Sequence, residues 1–100
     1  MVWIAGMAAN TTSGGGETDV CAYYGTGTPP SAGSTTPTGT VAGLMQHVVL
    51  VSNTSQSGFT IMDKLTGLAI NTTYWFDVMI SSPQGGGAYI KDVQGVALEV

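Results

Sequence analysis

One hundred residues, with 8 % charged side chains and a net charge of −4, make a single domain with only two basic residues, Lys64 and Lys91. Such a chain has no basic patch for nucleic acid, whose binding rests on clustered Lys and Arg, and none for an anionic membrane surface. Its apolar runs stop short of the roughly 18–20 residues that a membrane span needs, and a lone Cys21 excludes an internal disulfide or a thiolate metal cluster in one chain. Over Met1–Ala9, Val2 and Ile4 alternate with Trp3 and Ala5, which predicts a first strand. The same stretch lacks the basic lead and length of a signal peptide. A chain that opens inside a strand implies a domain lacking an N-terminal strand. Asn10–Gly16 reads as a hairpin loop.

Glu17–Tyr24 is the second predicted strand, with Val20, Ala22 and Tyr24 on one face and Asp19, Cys21 and Tyr23 on the other. Gly25–Gly43 is almost wholly Gly, Thr, Pro and Ser; Pro29-Pro30 blocks helix and central strand alike. Its length predicts a surface crossover between two sheets or toward a neighbouring subunit. Val41–Ser52 fits a helical face in part, but its β-branched run favours strand from Met45 to Val51. Asn53–Gly58 is a turn. Gly58–Lys64 is a short strand with Phe59 and Ile61 facing inward.

Leu65–Ser82 carries the strongest pattern, a turn feeding what reads as the central strand. Tyr74, Phe76, Val78 and Ile80 share one face, and Trp75, Asp77, Met79 and Ser81 the other. After a Pro83–Gly87 turn, Ala88–Val100 closes the chain. A bulge at Gly95 is expected to turn Val96, Leu98 and Val100 inward. The count is six to seven short strands with little or no helix, which predicts an all-β antiparallel sandwich or jelly roll.

No catalytic constellation stands out, and neither a metal nor a cofactor site is expected. His47, the only histidine, has no nucleophile elbow around it. Asp77 invites pairing with Asp92 or Glu99 for glycoside hydrolysis, and Glu17, Asp19, Asp63 and Asp92 invite a surface calcium site, yet no Asp-x-Asp-x-Asp loop occurs. Gly14–Gly16 and Gly85–Gly87 lack the Lys-Ser/Thr and helix of a phosphate loop. Trp3, Tyr23, Tyr24, Trp75 and Tyr89 are candidates for a glycan platform or a subunit interface, with Tyr23, Tyr24, Trp75 and Tyr89 preferred. Sequons stand at Asn10, Asn53 and Asn71, as expected by chance in a chain so rich in Ser and Thr. Low charge with Ser/Thr-rich strands is also the composition of extracellular and virion β-proteins.

Two stretches, Tyr24-Gly25-Thr26-Gly27-Thr28-Pro29-Pro30-Ser31-Ala32-Gly33 with Thr38–Gly43, and Thr66-Gly67-Leu68 through Thr73–Val78 to Gly87–Ile90 and Ala97–Val100, resemble small bacteriophage structural modules. The opening Val2–Gly6 and Ala9–Thr12 fit the same pattern. The resemblance implies a β-sandwich on the virion surface, assembled as a trimer, in a capsid-decoration or tail-fibre/spike role beside other virion proteins. It brings no active-site residues. In such modules a strand precedes the Val-Trp-Ile segment, so an exposed edge near Val2–Met7 is expected to invite strand addition. The alternative is a receptor- or carbohydrate-binding module acting on bacterial surface glycan. A second stretch, Gly67-Leu68 followed by Asn71-Thr72-Thr73-Tyr74, resembles the tyrosine corner of fibronectin type III domains.

Overall fold

The computed structural model describes residues Met1–Glu99. Six strands run in order, β1 (Val2–Asn10), β2 (Gly16–Thr26), β3 (Thr40–Leu50), β4 (Gln56–Asp63), β5 (Tyr74–Ser81) and β6 (Ala88–Ala97), with no helix among the described residues. They form two three-stranded antiparallel sheets, β4-β1-β6 and β3-β2-β5. The expected all-β, two-sheet architecture is therefore what the chain adopts.

The core lies between the sheets. Val2, Ile4 and Ala8 of β1 and Phe59 and Ile61 of β4 meet Val20 and Ala22 of β2 and Ala42, Val48 and Leu50 of β3. Val78, Ile80 and Ile90 cover the side toward β5 and β6. Phe59 is the one aromatic ring among the buried residues, and it faces Gly6 across the β1–β4 ladder. A Cβ at Gly6 would stand 3.0 Å from that ring and 3.1 Å from Val93, so the glycine leaves the space that the ring fills.

The central strands are β1 and β2, and Tyr74–Ser81 is an edge. This corrects the expected central role of that stretch, although its alternation is right: Val78 and Ile80 face the core. Val2–Met7, expected as an open edge, is paired on both sides by β4 and β6. Asn10–Gly16 is not a hairpin, because β1 and β2 belong to different sheets. Conversely, Gly25–Gly43 crosses no sheet boundary; its middle is a long loop between the paired β2 and β3.

Two irregularities shape the sheets. In β6 the register against β1 shifts between Gln94 and Lys91, and Asp92 takes a φ of 54°. The bulge sits at Asp92–Val93, not at Gly95, which pairs regularly with Ile4. An extra residue reverses the face of everything after it. Val96 and Leu98 therefore point outward, 53 % and 52 % exposed; the expectation for Val100 lies outside the described residues. In β3, Gly43, Leu44 and Met45 all stand opposite Cys21. There Gly43, at φ +70°, donates its N–H to Asp63 Oδ2 at 2.8 Å and joins β3 to the end of β4.

Both ends of the sandwich are tied by side chains. Asn10 is fully buried. Its amide donates to Ser82 Oγ at 3.1 Å and its carbonyl accepts the Thr12 N–H at 2.9 Å. Gly87 N–H donates to Thr11 Oγ1 at 2.8 Å, so the β1–β2 and β5–β6 loops are locked together. At the opposite end, Ala69 N–H donates to the Tyr74 hydroxyl at 2.8 Å, with Asn71 in a left-handed conformation at φ 56°. The contact that the tyrosine-corner resemblance implies is formed. The topology departs from it, since an immunoglobulin-like last strand joins the sheet of the corner strand, whereas β6 joins β1 in the other sheet. Tyr74→Phe removes an exposed acceptor that water replaces in part, so an expected loss of about 1 kcal/mol is read from urea denaturation.

Candidate functional site

Two regions draw attention: the outer face of the sheet β3-β2-β5 and the aromatic end of the sandwich. On the outer face, residues of β2 two apart stand side by side. Glu17, Asp19, Cys21 and Tyr23 form that row, with Val49 across from Glu17, His47 and Ser81 flanking Asp19, Met79 beside Cys21, and Val41 and Asp77 flanking Tyr23.

Asp19 and His47 meet here. His47 Nδ1 lies 2.9 Å from Asp19 Oδ1 and 3.5 Å from Glu17 Oε2. The carboxylate of Asp19 is largely buried while the ring of His47 is mostly exposed. The hydrogen bond to Asp19 and the charge of that carboxylate, with a smaller contribution from Glu17, hold the His47 imidazole above its ordinary pKa of 6.5. No hydroxyl or thiol is hydrogen-bonded to the ring among the described residues. Of the four residues considered for calcium, Glu17 and Asp19 come together, whereas Asp63 is engaged with Gly43 and Asp92 lies on the other sheet. Asp77 sits on the outer face of β5 and accepts the Val78 N–H at 2.9 Å; Asp92 lies on β6 and Glu99 just beyond it, so the imagined carboxylate pair is not assembled.

The raised pKa has a defined sign. A folded-state value above the unfolded one contributes stability that is fully present below about pH 6.5 and is lost as pH rises through the folded value. Denaturation midpoints in chelator-treated buffer are expected to fall between about pH 6 and pH 8.5. The His47→Gln variant isolates this contribution, and its midpoint should lack that part of the change.

The aromatic candidates divide by face. Tyr23 and Trp75 lie on the outer face of sheet β3-β2-β5. Burial, with Cys21 adding to it, pushes the Tyr23 hydroxyl above its ordinary pKa. Tyr24 points inward and packs with Tyr74 and Phe76 at ring-centre distances of 6.3 and 6.1 Å. Tyr89 belongs to the opposite sheet. The four preferred residues thus do not make one platform. Trp75 covers the neck of the β2–β3 loop: a Cβ at Gly25 would stand 2.6 Å from the indole and one at Gly39 2.7 Å, and the indole N–H donates to Thr26 O at 3.1 Å. Trp75, Tyr24 and Tyr74 line an open cavity of about 550 Å3 with Thr28, Thr38 and Thr40.

Apolar side chains also cover the outside of sheet β4-β1-β6. Trp3 stands directly between Met62 and Val96, and Ala5 and Met7 continue the row along β1. Sequence reading singled out Trp3 but missed this row, because Met62 and Val96 are brought to it only by the register. Likewise, Glu17 and Asp19 share a face by their spacing alone, yet their meeting with His47 depends on the pairing of β2 with β3. Comparison with protein families, with curated protein sequences and with solved structures gives no match to any of them.

Proposed function

We propose that the chain is a structural assembly module of a virion, a β-sandwich that packs through the apolar outer face of sheet β4-β1-β6 against further copies as a trimer. The capsid-decoration or tail-fibre/spike role comes from the resemblance to phage structural modules. The observation that carries assembly is the apolar row Met62–Trp3–Val96 on the outside of sheet β4-β1-β6, not total surface area. A compact monomer of 10.2 kDa exposes roughly 5,300 Å2, whereas this chain exposes 6116 Å2. The excess, roughly 800 Å2, goes with the elongated body of 47 × 25 × 19 Å and with the exposed stretches over residues 31–40 and 66–73. In the apolar row Met62 is 57 % and Val96 53 % exposed, and both flank Trp3 directly. Isolated apolar residues such as Leu44, Val51 and Ile70 are ordinary on a surface, whereas a row contiguous across three strands marks a contact site.

Light scattering on a sizing column at two dilutions tests the reading. A trimer that resists dilution is the expected result, and Trp3→Lys should break it into smaller species. A stable monomer at both dilutions overturns it.

The carbohydrate-binding alternative draws on the cavity beside Trp75, where aromatic faces and threonine hydroxyls suit a sugar. Titration with bacterial surface glycan, followed by tryptophan fluorescence, should give a saturable change on that reading and none for a purely structural module.

A further inference from the structure

The grouping of Glu17, Asp19 and His47 plays no part in assembly as proposed above. We propose that these three side chains form a binding site for a divalent transition-metal ion of the zinc type, with its remaining coordination positions open to solvent.

Geometry is the first argument. The imidazole Nδ1 stands 2.9 Å from Asp19 Oδ1 and 3.5 Å from Glu17 Oε2, and one donor atom from each residue lies within 4.8 Å of the others. Zinc holds nitrogen and oxygen donors at about 2.0–2.2 Å, so neighbouring donors in a tetrahedral shell are roughly 3.4 Å apart. The two shorter separations bracket that value. Small side-chain adjustments then bring three donors around one ion, and the exposed ring of His47 leaves the fourth position to water.

Donor chemistry is the second. One imidazole nitrogen and two carboxylate oxygens suit zinc and its neighbours in the first transition row, whereas calcium and magnesium take oxygen donors. Charge is the third. With a neutral imidazole the site carries two negative charges, one of them on a residue only 8 % exposed. The two lysines stand elsewhere: Lys91 is on β6, and Lys64 follows β4, both with the other sheet. A dication supplies the charge that no lysine brings. Order is the fourth. Asp19 sits on a central strand paired on both sides, and its partners are already in place, which lowers the entropy lost on binding.

Without metal, the same geometry places an imidazole between two carboxylates. A proton and a metal ion compete for Nδ1, and the experiment separates these two uses of the site. His47 is the only histidine, so the imidazole resonances in a nuclear magnetic resonance spectrum report this site alone. The whole chain, stripped with chelator and dialysed, is titrated with zinc chloride near pH 7.5, in parallel with calorimetry. The expected result is a saturable shift of the His47 ring signals complete at one ion per chain, with a matching heat. His47→Gln, an exposed change that leaves the core intact, should weaken binding by more than the roughly 100-fold that loss of an outer-shell partner costs. Asp92→Asn, on the other sheet, should leave it unchanged. Ring signals unmoved by zinc, or equal affinity in His47→Gln, overturn the site and leave a simple ion pair.

Discussion

Phe59→Ala is expected to destabilise the protein by about 3–5 kcal/mol, the range for emptying a buried aromatic site. Phe59 is 4 % exposed, and the other buried core residues are Val, Ile, Leu and Ala. The nearest other aromatic ring of the core, Tyr24, is held by Tyr74 and Phe76, at ring-centre distances of 6.3 and 6.1 Å. The wall opposite is Gly6, which has no side chain to move. Collapse around the cavity is therefore limited, which keeps the cost toward the top of the range. Against the roughly 5–15 kcal/mol that holds a domain folded, this is a large fraction. The melting temperature should fall by roughly 15 °C or more, at about 4–8 °C per kcal/mol for a domain of this size. Measurements are compared at one protein concentration, because association shifts apparent stability.

The pairing with Gly6 supplies a control. Gly6→Ala places a methyl group 3.0 Å from the ring and should cost about 1–3 kcal/mol by overpacking. Combined with Phe59→Leu, which shortens the side chain, the two changes should cost less than their sum. Additive costs would mean that the ring does not occupy the space left by the glycine.

Much of the fold was legible because half-buried strands alternate. The second strand was read as Glu17–Tyr24 and forms Gly16–Thr26; the fourth was read as Gly58–Lys64 and forms Gln56–Asp63. What misled was rank. Tyr74–Ile80 shows the clearest alternation because an edge strand of a sandwich keeps one wet face. Central β2 is buried from Thr18 to Cys21 and on to Ala22, and a strand covered on both faces loses its period. Its small residues, Cys21 and Ala22, gave no strong apolar signal either. β3 was read from Met45, five positions late, because its Gly43–Met45 bulge interrupts the pattern. The Glu17–Asp19–His47 grouping was half legible, since spacing alone puts the two carboxylates on one face. The histidine joins them through a register fixed by a bulge that local sequence does not announce.

That bulge also carries the second large effect. Gly43→Ala is expected to cost about 3 kcal/mol from two causes. A residue with a Cβ at φ +70° is strained by roughly 1–2 kcal/mol. The new Cβ would also stand 2.7 Å from Ile61 Cγ2 and 3.1 Å from Met62 O, and crowding a packed site typically costs about 1–3 kcal/mol. Ile61 is buried at 2 % exposure, so it cannot yield toward solvent. Movement of β3 to relieve the crowding would pull the Gly43 N–H from Asp63 Oδ2. Asp63→Ala alone removes that charged acceptor and should cost about 1.5–3 kcal/mol, the range for a hydrogen bond to a charged group. If the alanine at position 43 already breaks the bond, the double variant should lose less than the sum of the two single changes, a coupling that a double-mutant cycle in urea reads directly. Strict additivity would show that β3 keeps its bond to Asp63 with the alanine in place. A nearly neutral Gly43→Ala would show more, namely that the edges of the two sheets slide past one another and that β3 and β4 do not close this side of the sandwich as a rigid seam.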